Sequence, residues 1–162
     1  MKLVENAQMV AGFVPLDLQV QRDGDWVRLR DFNHLTVIFY KGIGTAGDNP
    51  VVTLQQATDN AGGGAKALNF TEIWRKQAAD VQTVGQFTKT TQAAANTFTD
   101  GASANQQAIW VLEIDADMLD VDGGFQYVRL TLNDTGVNAQ LGCVLYILTQ
   151  PRFAEAMPPS AL

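Results

Sequence analysis

The sequence predicts an all-β protein: a two-sheet sandwich, jelly-roll-like before immunoglobulin-like, with about eight strands and one short helical turn. Three observations lead there. Apolar residues recur with period two wherever a pattern exists. Turn signals fall at intervals of roughly eight to twelve residues. A helical turn has a single short candidate, residues 115–120, in Asp115-Ala116-Asp117-Met118-Leu119-Asp120.

The strands follow in order. Residues 35–40, Leu-Thr-Val-Ile-Phe-Tyr, are β-branched and aromatic, and the turn formers of 41–50 stop them. Residues 51–55 then read as the return strand of a hairpin, and the glycines at 62–64 break the chain again. Residues 68–77 fit helix or strand; the flanking glycines and the β-branched pair favour strand. Residues 78–103 are rich in Gln, Thr, Ala and Asn and predict short strands at 84–87 and 96–99. In 107–114, Trp110, Leu112 and Ile114 share the core face. In 125–132, Val128, Leu130 and Leu132 lie opposite Tyr127, Arg129 and Thr131, and 133–136 turn the chain. Residues 141–149 are apolar on both faces, as in a strand covered twice, either within the domain or by a neighbouring subunit.

The chain of 162 residues suits one domain with a single core. Residues 21–153 are assigned to the sandwich; 1–20 and the tail 154–162 are candidate arms, because loosely patterned or Pro-rich termini can lie along a neighbour. With 46% apolar and 17% charged residues the chain is built to fold. A net charge of −6 without a dense basic cluster disfavours nucleic acid as a partner. No apolar run approaches the roughly 20 residues that span a bilayer, and residues 1–6 lack a signal-peptide core, so neither a membrane nor an export route is expected. Cys143 has no cysteine partner and reads as a small buried apolar residue.

Chemistry-bearing motifs are sparse. Gly42-Ile43-Gly44-Thr45-Ala46-Gly47 matches G-x-G-x-x-G after a predicted strand, but a strand follows it where a phosphate site needs a helix N-terminus. Gly62-Gly63-Gly64-Ala65-Lys66 lacks the spacing of a P-loop. The acidic residues Glu113, Asp115, Asp117, Asp120 and Asp122 offer Ca²⁺ oxygen ligands, although not in EF-hand order; capping by Asp115 or Asp117 and a turn at Asp122-Gly123-Gly124 explain them better. His34 is the lone histidine, and no nucleophile elbow is present. The expectation is therefore a protein without catalytic residues, cofactor or metal. Trp26 near Asp25 and Arg28, and Trp74 beside Arg75 and Lys76, pair aromatic rings with arginine as interface hot spots do, while core placement suits each ring at least as well. Trp26, Arg28, Trp74, Arg75, Arg152 and Phe153 are the expected interface residues.

Six stretches together resemble small virion proteins of tailed bacteriophages: Tyr40-Lys41-Gly42-Ile43-Gly44-Thr45-Ala46-Gly47-Asp48-Asn49-Pro50; Thr53-Leu54-Gln55-Gln56-Ala57-Thr58; Ala65-Lys66-Ala67-Leu68-Asn69-Phe70; and Asn138-Ala139-Gln140-Leu141-Gly142 with Tyr146-Ile147-Leu148 and Pro151-Arg152-Phe153. The resemblance covers roughly residues 35–153 and is nearest to capsid decoration or cement proteins. It implies a protein made in the host cytoplasm and placed on the capsid surface of the virion. Its implied partners are the major capsid protein and further copies of itself, as a homo-trimer or homo-dimer. A carbohydrate-binding jelly-roll module, with or without Ca²⁺, and another head or tail component are the alternative readings.

Overall fold

The computed structural model describes residues 2–153, so the tail 154–162, expected as an arm, lies outside the described residues. A single helical turn, α1 (Leu3–Asn6), leads into β1 (Ala7–Asp17), β2 (Arg22–Asp23), β3 (Val27–Arg28), β4 (Phe32–Lys41), β5 (Val51–Ala57), β6 (Lys66–Ala67) and β7 (Phe70–Ala78). A 3-10 turn (Val81–Thr83) precedes β8 (Thr88–Ala95), β9 (Thr97–Thr99) and β10 (Gln107–Asp115). A second 3-10 turn (Ala116–Met118) precedes β11 (Tyr127–Leu132) and β12 (Leu141–Pro151). The first sheet runs β1-β12-β4-β10-β7-β8; the second runs β2-β11-β5-β6, with β3 also on β11 and β9 also on β5. The expected all-β sandwich is the observed one, with twelve strands among the described residues where about eight were expected.

Period two sets the core as the alternation requires. Leu35, Val37 and Phe39 of β4, Trp110, Leu112 and Ile114 of β10, and Val144, Tyr146 and Leu148 of β12 point inward. They meet Val52 and Leu54 of β5 and Val128, Leu130 and Leu132 of β11. Trp110 anchors this layer: its ring lies 5.5 Å from Phe39 and 5.0 Å, edge-on, from Phe98, and its indole N–H donates to Gln77 Oε1 at 3.0 Å. A buried indole with that donor satisfied contributes area without an unpaired polar group.

Tyr146 links the sheets. Between β2 and β3 the ladder on β11 opens, and the Leu130 N–H left there donates to the buried Tyr146 hydroxyl at 2.9 Å. Gly24 fills the gap because a Cβ at that position would stand 2.5 Å from the Tyr146 hydroxyl and 2.6 Å from the Leu130 carbonyl.

Three local expectations are corrected. Residues 51–55 are a strand but not the partner of 35–40: β4 is flanked by β12 and β10, and the intervening loop crosses to the other sheet, where β5 pairs with β11. Residues 84–87 form no strand; the chain is still leaving the 3-10 turn, and the strand begins at Thr88. Residues 7–17, read within a candidate arm, are strand β1 on the edge of the first sheet, antiparallel to β12. The registers Ala11/Phe13 and Phe13/Leu16 are each shifted by a bulge, which erases period two and accommodates Pro15 at the edge.

Candidate interaction surface

The two sheets differ on their outer faces. On the second sheet, Arg129 lies opposite Gln55 and Thr131 opposite Thr53, and the Arg129 guanidinium donates to Gln55 Oε1 at 3.1 Å. That face is polar. On the first sheet, strand order brings residues distant in sequence into one row: Ala11 beside Leu145, Leu145 beside Ile38, Ile38 beside Val111, Val111 beside Trp74, and Trp74 beside Lys89. Five of the six are apolar and lie on the outer face, although Val111 is only 9% exposed there, in a hollow it shares with Trp74 and Phe87.

Rows on either side carry the charge. One contains Cys143, Tyr40, Ile109 and Lys76. The other contains Met9, Ile147, Thr36 and Glu113, with Glu72 two residues from Trp74 on β7. Strand β12 explains its double-sided pattern: Val144, Tyr146 and Leu148 face the second sheet, and Leu141, Cys143, Leu145 and Ile147 are left on the outer face with no covering layer among the described residues. Burial pushes the Cys143 thiol pKa up, which keeps it protonated and apolar in character.

At the end of this face where β1 and β4 finish and β12 begins, the apolar surface continues onto loops. Leu141 is 60% exposed and Val137 86% exposed, with Ile43, Val14 and Leu16 also exposed. The loops that present them are tied down. Lys41, although 1% exposed, donates to three backbone carbonyls: Ser103 at 2.6 Å, Gln106 at 2.7 Å and Gly42 at 3.0 Å. Desolvation lowers its pKa to about 8, while the three carbonyls give the ammonium the partners that burial requires. Asn49 Oδ1 accepts from the Ala104 N–H at 3.1 Å, and Asp48 accepts from Asn138 Nδ2 at 2.9 Å. Gln140 Nε2 donates to the Asp48 carbonyl at 3.1 Å, and a Cβ on Gly44 would collide with that amide. Two of the stretches that carry the virion-protein resemblance, 40–50 and 138–142, therefore meet here. The G-x-G-x-x-G run is part of this cross-sheet loop.

The opposite end is acidic. His34 Nδ1 lies 2.7 Å from Asp115 Oδ1 and His34 Nε2 lies 2.8 Å from Glu113 Oε2, which also accepts from the Thr36 hydroxyl at 2.7 Å. Only the imidazolium has two N–H donors to satisfy both carboxylates. Burial lowers the His34 pKa, but the hydrogen bonds and charges of Asp115 and Glu113 outweigh it and raise the pKa above its usual value. The rest of the acidic series diverges: Asp120 pairs with Lys66 and accepts from the Gly123 N–H at 3.0 Å. Among the described residues no set of three or more His, Cys, Asp or Glu is placed to hold a metal ion.

The six expected interface residues do not form one surface. Trp74 lies on the apolar row, but Arg75, its neighbour on β7, turns inward to Asp100 and to the Phe98 ring. Trp26 is 8% exposed, with the Arg129 guanidinium 4.6 Å over its ring. Arg28 pairs with Asp31 at 2.8 Å. Arg152 lines a cavity of about 220 Å³ with Arg30, Leu119, Val121 and Phe125, and Phe153 is 72% exposed nearby. Sequence reasoning did not place Ile38 and Leu145 on the outer face; Val111 was set opposite the core face of its strand, and it is 9% exposed there. The double-sided apolarity of 141–149 was the signal available for Leu145.

No protein family and no curated protein matches the sequence. Among solved structures the chain is similar to the crystal structure of SPBc2 prophage-derived protein YomS, with a TM-score of 0.45 and 13% identity, covering 87% of this chain and 93% of that one.

Proposed function

We propose that this protein is a structural component of a tailed-bacteriophage virion, a decoration or cement protein that binds the major capsid protein and braces the shell without chemistry of its own. The observation that supports this reading is the uncovered apolar face of the first sheet, continuous with exposed Leu141, Ile43 and Val137 on loops held by Lys41 and Asn49. Apolar surface on a rigid support is what adhesion uses, since binding then orders few additional groups. A shell presents many equivalent positions, so weak contacts at each become effective together once expansion sets the spacing. A ligand that binds only the expanded shell also stabilises that state by mass action.

Co-sedimentation of the purified chain with expanded and unexpanded heads of the source phage tests the reading. Binding to expanded heads, at a fixed number of copies per capsid subunit, is the expected result; equal failure to bind both kinds of head overturns it.

A further inference from the structure

Resting on the reading of this face as an adhesion surface, we infer that its sheet portion is occupied by a second copy of the chain, packed face to face about a two-fold axis along the row Ala11–Leu145–Ile38–Val111–Trp74, which leaves the loop tip with Leu141, Ile43 and Val137 for the shell. The row is apolar from Ala11 to Trp74, so those residues meet their own counterparts; Lys89, where the row ends on β8, meets its own copy beside the two Glu72 carboxylates, and Glu113, which lies over Ile109, keeps its hydrogen bonds to His34 and Thr36. The rows beside it are electrostatically unequal, one carrying Lys76 and the other lying level with Glu72 and Glu113. Rotation about this axis exchanges the two rows while leaving each strand over its own copy. Glu72 of one molecule then lies over Lys76 of the other, and the reverse contact forms by symmetry, as an isologous interface demands. Glu72 already pairs with Lys89 within its chain, so the second lysine extends an existing ion pair. An axis parallel to the strands would instead place these charges of β7 over the apolar side chains of β12, with no opposite charge in the other molecule.

The dimensions agree. Six strands about 4.8 Å apart and three rows about 6.8 Å apart give a flat area on the order of 500 Å² per copy. Two copies therefore bury on the order of 1,000 Å², the lower bound for a specific contact. Sheets stacked in this way pack about 10 Å apart with strands within about 30° of alignment.

Sedimentation velocity of the full chain, wild type and variants, tests the contact. Wild type is expected to sediment as a dimer. Leu145→Glu, within the row on β12, is expected to yield a folded monomer, with the fold checked by circular dichroism. Lys76→Glu and Glu72→Lys are each expected to weaken dimerisation on the order of tenfold, and the double exchange to restore it, because the two residues meet only across the axis. A wild-type monomer or trimer, a dimer indifferent to Leu145→Glu, or a double exchange no better than the singles overturns the inference. A dimer that behaves as described while head binding fails would defeat the virion reading and leave the two-fold contact standing.

Discussion

The Tyr146 hydroxyl stands where a strand would otherwise supply a carbonyl, and it accepts from the buried Leu130 N–H. Tyr146→Phe keeps the ring and removes that acceptor, leaving a buried donor unpaired at a cost of about 1–3 kcal/mol. Urea unfolding should show the loss as a lower midpoint with an unchanged slope; an unchanged midpoint would contradict it. His34 makes a prediction of opposite character. Its folded-state pKa is raised, so the stability it adds is complete below about 6.5, its unfolded value, and disappears as the pH rises through the folded value. Wild type should therefore exceed His34→Gln in stability at mildly acidic pH, and the gap should narrow steadily on titration to alkaline pH. A gap independent of pH would show that the two carboxylates do not hold the imidazolium. At this scale the sequence was a partial guide: it marked Trp74, but nothing local to Arg75 or Trp26 shows that one turns inward and the other is covered by Arg129.

Elements were legible where a strand has one wet and one dry face in uninterrupted register. β10 and β11 come nearest to that condition: the alternation selects their core residues, and on their other faces Val111 and Thr131 alone are buried. β1 does not, because two bulges and Pro15 scramble its parity, and β8 does not, because it is an edge strand with no fully buried residue. The partner of β5 was not legible either: a loop between two strands carries no mark of whether it closes a hairpin or crosses between sheets. β1 nevertheless contributes Val10 and Phe13 to the core and covers the edge of β12. Burying two such side chains is worth about 1.5–3 kcal/mol each, a large share of a stability of about 5–15 kcal/mol. Deleting residues 1–17 should abolish cooperative unfolding, whereas a detachable arm would leave the transition intact. Thermal denaturation followed by circular dichroism separates the two outcomes.

At the scale of the whole molecule, the interaction face exists only through topology. Positions 11, 38, 74, 111 and 145 lie on five strands, and nothing joins them until β12 and β10 flank β4 and carry β1 and β7 outside them. Sequence patterning supplied the amounts of apolar surface; strand order decided that the surplus should gather on one sheet while the other became polar. The loops at one end, fixed by the buried Lys41 ammonium and by Asn49, extend that surplus to a rigid tip. The proposed role for such a body, bracing a shell, is mechanical. The most direct measurement is the heat resistance of expanded heads stripped of this protein, before and after the purified chain is added back. Genome release should move to higher temperature on addition and saturate at full occupancy; the same release temperature with and without the protein would contradict the account.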